Sequence, residues 1–336
     1  MEEKKRKRAK RRVVTGIRPT GPLHLGHLYG NIRQMIELTE THDCFYFSAD
    51  YHVLTDKTER MELTDLVEDN LIDLIACGLD PVKCTLFRQS DIPQIPEFNL
   101  ILSMVTPVGL LERCPLYREQ VKELGIDNPS YGLLGYPVLQ TADICMYRGE
   151  IVPVGEDQLP HLYISADIAG TFRHRYGDIF PVPEAKIMEV FARIPGTDNR
   201  KMSKSYGNAI NICDNEETTR KMILTYYTDP KKPRKGDAGH PDECPVFYLH
   251  RLYLEGEPLE TVRRGCEEGG RMCYDCKGEL ASEVNEALRP IRLRREELKD
   301  NREELHRILD DGAKKARKVA AEVLAECRKA IGIDMR

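Results

Sequence analysis

The chain contains no tryptophan at all. Chance loss of a rare residue explains this as well as any functional account, so by itself it points nowhere. No apolar run reaches the roughly 18 residues that a membrane-spanning helix needs, which excludes that class of protein. No apolar h-region follows Met1, so the expectation is a cytoplasmic protein without an export signal. Without export, a disulfide framework is not expected for the 11 cysteines; metal ligation or free buried thiols are. A net charge of -5 has the wrong sign for binding nucleic acid over the whole surface, so any RNA contact must come from local basic patches.

What is present fits a soluble globular protein: 336 residues, 41% apolar and 31% charged, enough for two domains or one large domain with an appendage. The start, MEEKKRKRAKRR (1–12), carries eight Lys or Arg. It reads as a disordered solvated tail, with an RNA-binding arm or a targeting signal as the other readings. From residue 13 strands alternate with helices. VVTGI (13–17), CFYFSAD (44–50) and CTLFRQS (84–90) read as strands, and GEIVPVGEDQ (149–158) as a strand running into a loop. Between them, ELTDLVEDNLIDLIACGLD (62–80) has apolar residues at helical spacing and a glycine near its end. This alternation predicts an α/β fold with a Rossmann-like, doubly wound parallel sheet, whose ligands bind at the carboxyl ends of the strands. A helical insertion is expected near 91–135, and from 213 the strand signal fades into a C-terminal helical domain. The basic face of its last helix reads as a solvated surface or an RNA contact.

The first loop sits where such a sheet places its ligand. In GIRPTGPLHLGHLYG a strand ends at Ile17, Gly21 turns the loop, and a helix begins near His24. A helix N-terminus presents free N–H groups and a positive dipole end, a natural phosphate site. His24 and His27, three apart, can face one anion, and Gly26 lets a flat base or ribose approach the backbone. On its own an H-x-G-H is equally compatible with ordinary core or surface histidines. A second basic loop, NRKMSKSYGN (199–208), sets Lys201 and Lys204 around Ser203, with Ser205 next, a pattern suited to clamping a polyphosphate.

HLGH followed some 180 residues later by KMSKS resembles the paired signature of the class I aminoacyl-tRNA synthetases. GIRPTGPLHLGH, YHVLT, LLGYPVLQTADICMY, IVPVGEDQLPH, ARIPG and the closing LDDGAKKARKVAAEVL resemble, in order and spacing, the tryptophanyl-tRNA synthetase family over nearly the whole length. The resemblance implies ATP, Mg2+, L-tryptophan and tRNA(Trp) as ligands, and a homodimer. It implies a catalytic domain over 13–212 and an anticodon-binding helical domain over 213–336, whose last helix could pack back on the first. Arg18, Pro19, Thr20, Gly26 and His27 would line the ATP site, with Gly155, Glu156 and Asp157 by the ribose and α-phosphate and Ile194 by the adenine. Lys201, Met202, Ser203, Lys204 and Ser205 would hold the pyrophosphate, with His24, His27, Lys201 and Lys204 stabilising the developing charge. Asp143 would accept the indole N–H, and Tyr136, His52, Gln140 and Gln158 would complete the amino-acid pocket. A helix cap is the plain structural alternative for Asp143. Gln140 departs from the methionine of some bacterial members, and Q-x-x-D also occurs in tyrosyl-tRNA synthetases, which keeps tyrosine as the rival substrate. A synthetase-like paralogue that binds RNA or nucleotide without charging tRNA is the other alternative.

Cys244, Cys266, Cys273 and Cys276 are spaced C-x21-C-x6-C-x2-C in the helical half. Four thiolates suit structural zinc or an iron–sulfur cluster, with unligated thiols as the third reading. The pattern is similar to that of the tryptophanyl-tRNA synthetases with a [4Fe–4S] cluster, which implies such a cluster here, with Zn2+ as its alternative. The remaining cysteines fall mostly in apolar runs and read as buried thiols.

Overall fold

The computed structural model describes residues 10–55, 62–123, 125–187 and 194–333, without the side chains of Glu123, Asp157 and Ser205. Five parallel strands form one sheet in the order β3-β2-β1-β4-β5. They are β1 (Arg12–Ile17), β2 (Asp43–Ser48), β3 (Thr85–Arg88), β4 (Ile151–Val154) and β5 (Glu184–Ile187). The expected doubly wound parallel sheet is therefore present. Val13, Val14, Phe45, Tyr46 and Phe87 are all buried, as strands covered on both faces require.

Residues 1–9 of the basic start lie outside the described residues. The remainder of that stretch is not tail. Arg12 opens β1, and its guanidinium donates to Asp43 Oδ2 at 2.6 Å. Arg11 pairs with Glu184 at 2.7 Å and with Glu150 at 3.3 Å. Carboxylates on the strand ends thus convert the last two basic residues into a sheet clasp. The strand β5 was not read from the sequence because EAKI is a polar edge strand, exposed at every position.

The first helical run starts as α1 (Leu25–His27), widens into a π-helical turn over Leu28–Ile32, and continues as α2 (Arg33–Thr41). Helix α3 (Leu63–Ala76) crosses from β2 to β3 with Leu71, Ile72, Leu74 and Ile75 buried, as the spacing predicts. Between β3 and β4 lie α4 (Gln94–Ser103), α5 (Val108–Glu112), α6 (Pro115–Glu123), α7 (Tyr131–Leu134) and α8 (Tyr136–Cys145). Helix α9 (Leu159–Tyr176) links β4 to β5. Strands β1 and β4 share a single registered couple, Val13 with Ile151, whereas β1 and β2 share six. This weakly paired seam is the point where strand order reverses, and in such sheets the ligand crevice lies there, at the carboxyl ends of the strands.

The rest is helical: α10 (Glu216–Leu224), α11 (Pro245–His250), α12 (Glu257–Glu267), α13 (Cys273–Asp300) and α14 (Arg302–Ile331). Two sets of charges bolt it to α3. Buried Arg295 reaches Asp73 at 2.6 Å and Asp69 at 3.1 Å, and Arg302 reaches Glu68 at 2.9 Å. Helix α14 then runs back over the sheet, burying Ala313, Ala316 and Ala320, with Arg317 Nε donating to the Asp91 carbonyl at 2.6 Å. It comes so near β3 that a Cβ on Gly312 would overlap the Leu86 carbonyl oxygen, which is backbone and cannot move aside. Among the described residues no helix is long and apolar enough to cross a membrane. Gly312→Ala is expected to destabilise the protein by about 2 kcal/mol or more through overpacking. Thermal unfolding checks this, and an unchanged Tm would contradict the close approach.

Candidate active site

The crevice brings together the two basic motifs. His24 is the residue before α1, and its backbone bridges Asn211, while Leu25 N–H donates to Ile210 O at 3.0 Å and Ile212 N–H to Leu23 O at 3.0 Å. The second motif is thereby held against the first loop. Lys204 Nζ donates to the Gly21 carbonyl at 2.7 Å, and Gly21 has φ 131, a conformation suited to glycine. Met202 N–H donates to Ile194 O at 2.9 Å, and both side chains are buried. Gly26 lies beside Met202, where a Cβ would also press on the His24 ring.

The imidazoles of His24 and His27 lie 3.8 Å apart between centroids, tilted by 42° to each other. His27 Nδ1 accepts the backbone N–H of His24 at 3.1 Å, which leaves its own proton on Nε2. Burial, with Lys204 and Lys201 nearby, pushes the His24 pKa down to about 4, and burial drives His27 well below the ordinary value. Both rings are therefore neutral hydrogen-bond donors near neutrality, and the positive charge in the crevice comes from the lysines.

The other side of the crevice is built by α8, whose Tyr136, Gln140 and Asp143 fall on one face. Asp143 is 2% exposed, and its Oδ2 lies 2.9 Å from His52 Nε2. His52 comes from the 3-10 turn Tyr51–Thr55 after β2, and its ring meets Tyr136 edge-on at 4.4 Å. Tyr136 in turn packs on His161 of α9 at 5.0 Å. Burial raises the Asp143 pKa, opposed by hydrogen bonds from His52 and Gln89. Gln158 stands at the start of α9, next to Gly155 and Glu156 at the end of β4. Arg18, Pro19 and Thr20 directly follow β1. The side chains of Asp157 and Ser205 lie outside the described residues. Buried His24 Nδ1, His52 Nδ1 and Gln140 Oε1 have no hydrogen-bond partner among the described residues. All three belong to residues read from the sequence as catalytic or substrate contacts.

Two residues missed by sequence reasoning organise these groups. Asn208 accepts the Ser203 N–H at 2.8 Å and donates to Asp198 at 2.7 Å and to the Lys201 carbonyl at 3.2 Å, which folds the basic loop on itself. Gln89, after β3, donates to both Asp143 oxygens at 2.8 Å. A position at the carboxyl end of a strand was the signal for Gln89; Asn208, just after the motif, had none.

The four cysteines of the helical half converge. Cys244, Cys266, Cys273 and Cys276 line one small cavity with Val246, Phe247 and Lys277. Burial raises the thiol pKa of Cys244 and Cys266, and that of Cys276 to about 12. A Cβ on Gly239 would stand 2.5 Å from Cys266 Sγ, so the loop opposite is kept bare of a side chain. Among the described residues no three His, Cys, Asp or Glu side chains stand close enough to hold a metal ion.

A nucleotide crevice at the switch point of a parallel sheet, faced by two neutral histidines and two lysines, defines a class I synthetase site. The family model described as tRNA synthetases class I (W and Y) matches residues 5–289, and the chain belongs to that family. Within it the similarity is to the tryptophan branch. The chain is 40% identical to the tryptophan–tRNA ligase of Thermotoga maritima, over 96% of this chain and 99% of the relative. It is 37% identical to that of Aquifex aeolicus, over 96% and 100%. The tryptophanyl-tRNA synthetase of Campylobacter jejuni complexed with ADP and tryptophan superposes with a TM-score of 0.90 at 37% identity, covering 96% of this chain and 99% of that one.

The histidine shifts have a signed consequence. A His whose folded pKa lies below its unfolded value of 6.5 leaves the unfolded chain binding more protons between about 4 and 6.5. Stability is therefore complete above pH 6.5 and falls as the pH drops toward 4. In His24→Asn that acid loss should shrink, as denaturant midpoints across this window would show; an unchanged slope would contradict a neutral buried His24.

Proposed function

We propose that this chain carries out tryptophan–tRNA ligation by charge stabilisation and positioning, without a covalent enzyme intermediate. The observation that carries the reading is the docking of Lys204 and the second motif on the loop that holds His24 and His27. Tryptophan's carboxylate oxygen attacks the α-phosphorus of ATP in line, a new P–O bond forms, and the bond to the β-phosphate breaks to release pyrophosphate. His27 Nε2–H and His24 donate to the phosphate oxygens as charge builds there, and Lys201 and Lys204 hold the leaving pyrophosphate. Mg2+ accompanies the ATP phosphates and neutralises part of their charge. Arg18, Pro19, Thr20 and Gly26 face the nucleotide, with Gly155, Glu156 and Asp157 toward the ribose and Ile194 toward the adenine. Met202, Ser203 and Ser205 complete the pyrophosphate loop. A terminal tRNA ribose hydroxyl then attacks the acyl carbon of the adenylate, and AMP leaves.

Asp143 supplies the specificity. His52 and Gln89 occupy Oδ2 and one site of Oδ1, the indole N–H fills the site left on Oδ1, and phenylalanine has no donor for it. Tyr136, His52, Gln140 and Gln158 enclose the rest of the amino acid. The helical half is read as the anticodon-binding part, and the functional unit as a homodimer. Exposed Leu100, Met104 and Val108, with Tyr131 hydrogen-bonded to Ser103 at 3.3 Å, support an apolar contact face on the insertion. Lys204→Ala is expected to slow tryptophan-dependent ATP–pyrophosphate exchange by about 100-fold or more while tryptophan binding changes little. An unchanged exchange rate would overturn this role for the motif.

For the cysteines, we propose a [4Fe–4S] cluster held by Cys244, Cys266, Cys273 and Cys276, a reading that rests on their spacing and on their lining one cavity. A zinc ion requires all its sulfurs at about 2.3 Å from one point, whereas a cuboidal cluster holds its four thiolates further apart, around a volume. Such a cluster would supply a covalent staple, and Lys277 and Arg271, which also line the cavity, would offset its negative charge. Anaerobically purified protein should be brown and carry about four irons and four sulfides per chain. A colourless preparation with one zinc per chain would refute it.

A further inference from the structure

We infer that Gln89 is a specificity-determining positioning residue, which fixes the Asp143 oxygen that meets the indole N–H. The inference rests on the reading of Asp143 as the indole acceptor. Gln89 is wholly buried, and its Nε2 lies 2.8 Å from both Oδ1 and Oδ2 of Asp143. Its Oε1 accepts the backbone N–H of Tyr51 at 3.0 Å. That second bond decides the orientation of the amide. Flipped, Gln89 would present its carbonyl to a carboxylate and its NH2 to an N–H donor, and both contacts are repulsive.

One side chain therefore ties together three segments. Tyr51 opens the turn that carries His52, whose Nε2 lies on Asp143 Oδ2 at 2.9 Å. Asp50, just before it, is fixed by Ser90, the residue after Gln89, through Ser90 N–H at 3.1 Å and the Ser90 hydroxyl. The ends of β2 and β3 are thereby clasped under α8. Oδ2 of Asp143 takes both His52 and Gln89, whereas Oδ1 takes Gln89 alone. A carboxylate oxygen has two acceptor sites, so the indole N–H is directed to Oδ1. Without Gln89 the carboxylate can turn about its terminal bond and loses a donor that favours its charged form.

The test compares tryptophan with 3-(benzothiophen-3-yl)alanine, in which sulfur replaces the ring N–H, in amino-acid-dependent ATP–pyrophosphate exchange. In Gln89→Leu the preference for tryptophan in kcat/KM should fall roughly 10- to 100-fold, the size of a lost hydrogen bond to a charged group. The loss should sit in KM for tryptophan, while constants for the sulfur analogue move less than about threefold. Gln89→Met, an unbranched side chain of similar volume, should behave alike and guards against a folding defect, which thermal unfolding reveals. Equal weakening of both substrates would mark a merely structural residue and overturn the inference, as would an unchanged preference. Asp143→Ala separates the two levels. Should it keep the preference, the acceptor reading itself fails; should it erase the preference while both Gln89 variants keep it, only the role of Gln89 fails.

Discussion

A carboxylate with almost no access to water, Asp143, is the constraint around which one side of this site is arranged. Burying such a group is unfavourable unless donors meet it. The fold brings two of them from different strand ends, His52 after β2 and Gln89 after β3, to an oxygen pair carried by α8. Parallel strands make this possible, because all their carboxyl ends open on the same edge of the sheet. The nucleotide side depends on that same edge. Its two basic motifs lie far apart in the chain, yet they meet there through the bridge between His24 and Asn211.

The electrostatics of the two halves are complementary. Burial keeps His24 and His27 neutral, so they contribute oriented N–H groups, whereas Lys201 and Lys204 contribute charge. Neutral donors held rigidly in place stabilise charge that develops during reaction without holding the ground state as strongly. In the structure Lys204 leans on the Gly21 carbonyl, which places the ammonium next to the turn of the first loop. The helical half has its own organising feature, four thiols around a cavity, joined to the sheet through α13 and the Arg295–Asp73 pair.

Much of this was legible in the sequence, for identifiable reasons. Continuous apolar runs marked β1, β2 and β3 because both faces of those strands are covered. The two motifs carried the class because phosphate chemistry needs those residue types close together. EAKI did not announce a strand, since an edge strand needs no apolar face, and the π-helical turn at Leu28–Ile32 has no periodicity of its own. Gln89 was missed because its role arises only when distant segments meet, and Asn208 because a loop folded on itself has no periodicity to read. A glutamine after a strand is ordinary until an aspartate 54 positions later faces it.

The central claim is that a buried carboxylate in this crevice selects an indole. ATP–pyrophosphate exchange by the intact enzyme, supplied in turn with tryptophan, tyrosine and phenylalanine, tests that most directly. Tryptophan alone should support rapid exchange, with phenylalanine lower by about 10000-fold or more, because it has no N–H for the acceptor site left open on Asp143. Exchange with tyrosine at a rate equal to or above that with tryptophan would contradict the account.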